Sequence, residues 1–110
     1  MNDIITERLV LRLVPLAGLG ATADGDRAAA ERLIGPRLPE EWFEDGWVYQ
    51  MRLEQWTEDP AYGPWSIRAI AEKATGQVVG NMNCHHKPMP FVLGDETLLA
   101  VEVGYTVFAD

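Results

Sequence analysis

Apolar residues alternate with polar or small ones over Thr6–Val14, where Leu9, Leu11 and Leu13 share one face of a predicted strand and Arg8, Val10 and Arg12 the other. Pro15 ends it, because proline cannot continue a ladder. Residues 16–25 contain three glycines and little periodicity, which predicts a loop. Asp26 is placed to cap a short helix through Ile34, stopped by Gly35-Pro36. Pro39-Glu40-Glu41 opens a second helix, in which Trp42, Tyr49, Leu53 and Trp56 recur at helical spacing, and Asp59-Pro60 closes it. Gly46 weakens its first part.

The pattern then changes to strand period. Trp65–Ala71 and Gln77–Cys84 read as two strands around a hairpin loop, Glu72–Gly76, whose glycine suits positive φ. Val78, Gly80, Met82 and Cys84 fall on one face of the second strand. Residues 85–95, with two prolines and one glycine, read as loop, and Thr97–Phe108 as a final strand. In that strand Val101, Val103, Tyr105 and Val107 share one face; Glu102, Gly104 and Thr106 share the other. The order is strand, helix, helix, then three strands forming an antiparallel meander: an α+β domain occupying 1–110.

At 110 residues the chain suffices for one small domain, and 47% hydrophobic with 24% charged residues is the mix of a globular protein. A net charge of −8 argues against nucleic acid as a partner, since phosphate binding needs clustered Lys and Arg. It permits a cationic substrate, although most acidic proteins are acidic simply for solubility. The single cysteine, Cys84, excludes an internal disulfide and suggests a reducing compartment. With no secretion-type leader and no apolar run of membrane-spanning length, a cytoplasmic location is expected and no membrane partner.

Cys84-His85-His86 is the most reactive-looking cluster. Adjacent strand residues point to opposite faces, so Cys84 and His85 do not meet there. With no other Cys or His in the chain, no metal site is expected. Glu102 faces solvent or sits over a cleft, where desolvation would make it a usable general base. Trp47 falls off the apolar helix stripe and is placed for a pocket, an interface or ordinary packing. No dinucleotide loop, nucleophile elbow or paired-helix His motif is present.

Three segments together resemble one family. Ile5-Thr6-Glu7-Arg8-Leu9-Val10-Leu11-Arg12 is similar to the opening strand of Gcn5-related N-acetyltransferases (GNAT), in the branch that acetylates ribosomal-protein N-termini. Ile70–Asn81 resembles that family's second and third strands with their hairpin, and Val101-Glu102-Val103-Gly104-Tyr105-Thr106-Val107 its fourth strand. The resemblance implies acetyl transfer from acetyl-CoA to a small-molecule or peptide amine, with Glu102 as base. It also implies that the backbone of Tyr105, Thr106 and Val107 receives the pantetheine arm. The family's fifth strand and pyrophosphate-binding turn find no counterpart, so the chain reads as a single incomplete domain of impaired activity. The alternative is a non-catalytic interaction module, or a homodimer, pairing through the last strand.

Overall fold

The computed structural model describes residues 3–108. Its strands are β1 (Ile4–Ile5), β2 (Leu9–Leu13), β3 (Arg68–Glu72), β4 (Val78–Cys84), β5 (Met89–Leu93), β6 (Glu96–Ala100) and β7 (Val103–Val107). Its helices are α1 (Leu16–Ala23), α2 (Arg27–Leu33) and α3 (Gly46–Glu58), with 3-10 turns at Glu40–Phe43 and Pro60–Trp65. The fold is α+β. A five-stranded sheet runs β1-β2-β3-β4-β7, antiparallel throughout, and β5 pairs with β6 in a separate ribbon. The sheet thus contains the antiparallel sequence β3-β4-β7, read from the chain as a meander.

Alternation along paired strands sorts the sheet into two faces. Ile67, Ala69 and Val78 face the helices and build the core with Val14, Leu19, Trp42 and Tyr49. The Trp42 and Tyr49 rings lie 5.1 Å apart, and the Trp42 indole N–H donates to Thr22 Oγ1 at 3.0 Å. The opposite face carries Leu11 and Ile70, cross-strand partners, and the row Val103, Tyr105 and Val107, which stays exposed.

Local chemistry explains the elements that follow the sequence pattern. The Asp26 carboxylate accepts from the Ala29 N–H and starts α2. Gly76 turns the β3–β4 hairpin at φ +75°.

The departures also have physical reasons. Residues 16–23 form helix α1 instead of loop: a Cβ at Gly18 would fall 3.0 Å from Val14 Cγ1 and 3.1 Å from Ile34 Cγ1, so glycine there serves close packing. The single helix expected from Pro39 onward is a 3-10 turn followed by α3, which begins at Gly46 beside its N-cap Asp45. β3 starts three residues after Trp65, which instead closes a 3-10 turn. A register shift between Ile70 and Ala71 pairs Ala71 with Val78, turning Val78 to the helix face, away from Gly80, Met82 and Cys84.

The largest correction concerns residues 85–108. The expected loop contains β5, and the expected long strand is broken into β6 and β7, with Val101 and Glu102 between them. Residues 78–107 therefore form one long ribbon. It pairs from Gly80↔Val107 to Cys84↔Val103, is interrupted, and resumes from Met89↔Ala100 to Leu93↔Glu96. Gly94, at φ +61°, opens the two-residue turn at its tip. Four residues, 85–88, oppose two, 101 and 102, at the interruption. Of the last strand as read from sequence, Ala109 and Asp110 lie outside the described residues.

Candidate functional site

The interruption in the ribbon brings together two residues that the chain keeps 17 positions apart. The His85 backbone N–H donates to the Glu102 carbonyl at 2.8 Å, and His85 Nδ1 lies 2.7 Å from Glu102 Oε1. A carboxylate oxygen only accepts, so Nδ1 carries the hydrogen, and Nε2 of the neutral ring keeps its lone pair. Nε2 lies over Gly104, where a Cβ would sit 3.0 Å from it. The carboxylate is mostly exposed and the imidazole partly so, at 71% and 38% of the side chain.

The interrupted segment is held from the helix side. Gln55 on α3 donates from Nε2 to the His85 carbonyl at 3.0 Å. The Tyr62 hydroxyl donates to the Cys84 carbonyl at 2.7 Å. Lys87 Nζ pairs with Asp59 Oδ2 at 2.8 Å, and this contact holds the Asp59 carboxyl below the usual carboxylate range.

A cavity of about 290 Å³ opens between the first turns of α3 and strands β4 and β7. His85 lines it, with Asp45, Tyr49, Asn81, Asn83 and Gly104 among its other walls. The polar residues on its floor are ordered by one another. Arg52 Nε donates to Asn83 Oδ1 at 3.0 Å and its Nη1 to Gln55 Oε1 at 2.9 Å. Asn81 Nδ2 donates to the Tyr49 hydroxyl oxygen at 3.1 Å. Burial pushes the Tyr49 hydroxyl well above the normal phenol range, the nearby Asp45 carboxylate adding to the effect, so Tyr49 keeps its proton. Asp45 makes no side-chain cap to α3.

The residues read from sequence fall out as follows. Glu102 is off the strand and does not line this cavity; it borders a second one, of about 360 Å³, with His86, Met89 and Phe91. It reaches the first cavity through His85. Tyr105 and Thr106 border the first cavity; Val107 does not. β7 is the edge of the sheet, so among the described residues no strand pairs with its outer side. Trp47 lines the cavity and is 69% exposed. Cys84 is a buried free thiol, raised by desolvation. His85 was visible as reactive, but not its partner. Asn81 and Asn83, two amides two residues apart on a strand, were the available signal for a polar floor.

No grouping of three or more His, Cys, Asp and Glu suited to a metal occurs among the described residues, and no described helix is long and apolar enough to cross a membrane.

No family model matches the chain. No curated protein matches it either. Among solved structures it is similar to the crystal structure of the acetyltransferase from Agrobacterium tumefaciens str. C58, at 22% identity and a TM-score of 0.45. That match covers 98% of this chain and 55% of the other, so the chain spans about half the length of the structure it resembles.

Proposed function

We propose that the chain carries the acceptor side of an N-acetyltransferase site, acting on a small-molecule or peptide amine. The observation that carries this reading is the Glu102–His85 pair, which opens through Nε2 onto a cavity bordered by an unpaired strand edge. An ammonium group must lose a proton before it attacks a carbonyl, and His85 Nε2 is placed to take it while Glu102 stabilises the resulting imidazolium. The base assigned to Glu102 from the sequence is thus divided between two residues, with His85 the one that meets the amine. The Asp45 carboxylate at the cavity wall favours a cationic acceptor.

Acetyl-CoA would supply the acyl group as an activated thioester. The outer edge of β7 suits its pantetheine amides, because backbone N–H and C=O groups there lack strand partners. Tyr105 and Thr106 would hold that arm beside the cavity, with Val107 extending the edge. The neutral Tyr49 hydroxyl is a hydrogen-bond donor for the cavity. Arg52 is the one cation among the cavity-lining residues, and Asn83 and Gln55 engage it. Pyrophosphate therefore gains no free charge partner there. Two charge-assisted bonds left unmade in that cavity, at about 1.5–3 kcal/mol each, would weaken binding by about a hundredfold or more. Transfer by this chain alone is accordingly slow. The resemblance to the ribosomal-protein branch favours a peptide N-terminus among the acceptors, and a buried, unpaired Cys84 is compatible with a cytoplasmic location.

The test is amide NMR with added acetyl-CoA. Shifts at Gly104, Tyr105 and Thr106 that grow in the millimolar range support the reading. Shifts confined elsewhere, or none, overturn it, and saturation in the micromolar range overturns the weak hold on the pyrophosphate.

A second reading rests on the same strand. The outer edge of β7 can pair with another copy of itself, as in an interaction module. Edge pairing and pantetheine binding use the same backbone groups, so saturating acetyl-CoA dissociates an edge-paired dimer.

A further inference from the structure

The β5–β6 arm is apolar on both faces. Met89, Phe91 and Leu93 alternate with Pro90 and Val92 on one strand, and Leu98 and Leu99 lie opposite. Exposure reaches 69% at Val92 and 75% at Leu99. Residues 88–94 and 97–101 carry no charge; Asp95 and Glu96 stand only at the tip. Among the described residues, the arm packs almost wholly within itself. An isolated two-stranded ribbon is marginal in water, and one apolar on both sides lacks the polar face that a surface hairpin presents.

The sheet offers the complementary surface. Its face opposite the helices bears Val103, Tyr105 and Val107, all more than half exposed, and Ile4 at the far side.

We infer that the arm and this open sheet face are the two halves of an interface with a second copy of the chain. Each copy lays its arm across the other's sheet in a two-fold arrangement. A two-fold contact needs one chain to present both complementary surfaces, and this chain does. The area also suffices. One face of the arm, three or four apolar side chains, and the three-residue sheet row leave on the order of 100 Å² per side chain, about 600–700 Å² per chain, within the ~1,200–2,000 Å² total of a stable interface. Because the arm carries charge only at its tip, two chains of net charge −8 meet along its uncharged length. This packing of faces leaves the β7 edge open, and it is independent of the acetyl-transfer reading.

The experiment is sedimentation velocity on the full chain, with Leu99→Lys on the arm and Val103→Lys on the sheet face. A wild-type dimer at micromolar concentration is expected. Each substitution should raise the dissociation constant at least tenfold, with unchanged near-UV circular dichroism showing that the fold persists. Both lower the net negative charge, so general repulsion does not explain a loss of dimer. A monomeric wild type overturns the inference. So does a dimer that both variants leave intact, which would assign association to the β7 edge, and so do open-ended aggregates in place of a dimer.

Discussion

Gly104 holds space for the imidazole of His85. A Cβ at residue 104 would fall 3.0 Å from Nε2, inside normal contact distance. Gly104→Ala therefore tilts the ring away from the cavity floor while leaving the β4–β7 ladder paired. The neighbour is the far end of a side chain, so little stability is lost. Reactive geometry tolerates such displacement poorly, and residual transfer at saturating acetyl-CoA should fall by about a hundredfold. The His85 Cε1–H resonance should move in the variant, an observation that does not depend on turnover.

His85 and Glu102 should behave as one unit. On the proposed reading His85→Gln removes the proton acceptor and should lower transfer by about 10²–10⁴. Glu102→Gln keeps a hydrogen-bond acceptor but loses the charge, so a smaller fall is expected. The double variant should be little worse than His85→Gln alone if Glu102 acts through the ring, as proposed. Steady-state rates of all three variants check this; additive losses would separate the residues.

Thr22 joins two elements through a buried hydroxyl, accepting from Trp42 Nε1 at 3.0 Å and donating to the Gly18 carbonyl at 2.8 Å. Thr22→Val keeps the shape and strands the indole N–H, a loss of about 1–3 kcal/mol. Thermal unfolding should show a drop of several degrees, and Thr22→Ser should recover most of it.

Tyr49 makes stability depend on alkaline pH. Its hydroxyl is raised by burial in the folded chain, while the unfolded chain ionises near pH 10. Above that point the unfolded state binds fewer protons than the folded one, so stability falls as pH rises. Below it Tyr49 contributes no pH dependence. Cys84, also raised by burial, acts in the same direction from slightly lower pH. Urea unfolding between pH 8 and 11 should show this decline, and Tyr49→Phe should flatten its upper part.

Much of this fold is written in local pattern. The Asp26 cap and the Gly76 turn are satisfied by neighbours a few residues away, and the alternation of Leu9, Leu11 and Leu13 marks a strand although its partners, Glu72, Ile70 and Arg68, are distant. The misreadings arise where distant packing decides. Gly18 looked like a loop residue because its reason for being glycine is Val14 and Ile34. Pro90 looked like a strand breaker, yet in a two-stranded ribbon each strand has a side with no partner, where a missing N–H leaves no gap. The candidate site was half legible. Glu102 and His85 each stood out, but their meeting depends on how many residues bulge at a break in a ladder, which periodicity does not encode.

That break has a mechanical meaning. His85 and Glu102 sit on opposite strands of one ribbon, at the joint between the part built into the sheet and the part that projects from it. The helix side grips the His85 strand through Gln55, Tyr62 and Asp59. Glu102 continues directly from the projecting arm. The His85–Glu102 contact thus sits at the joint between arm and sheet. A load on the arm's tip should therefore be felt first at the 2.7 Å contact, which joins a strand gripped from the helix side to one continuous with the arm.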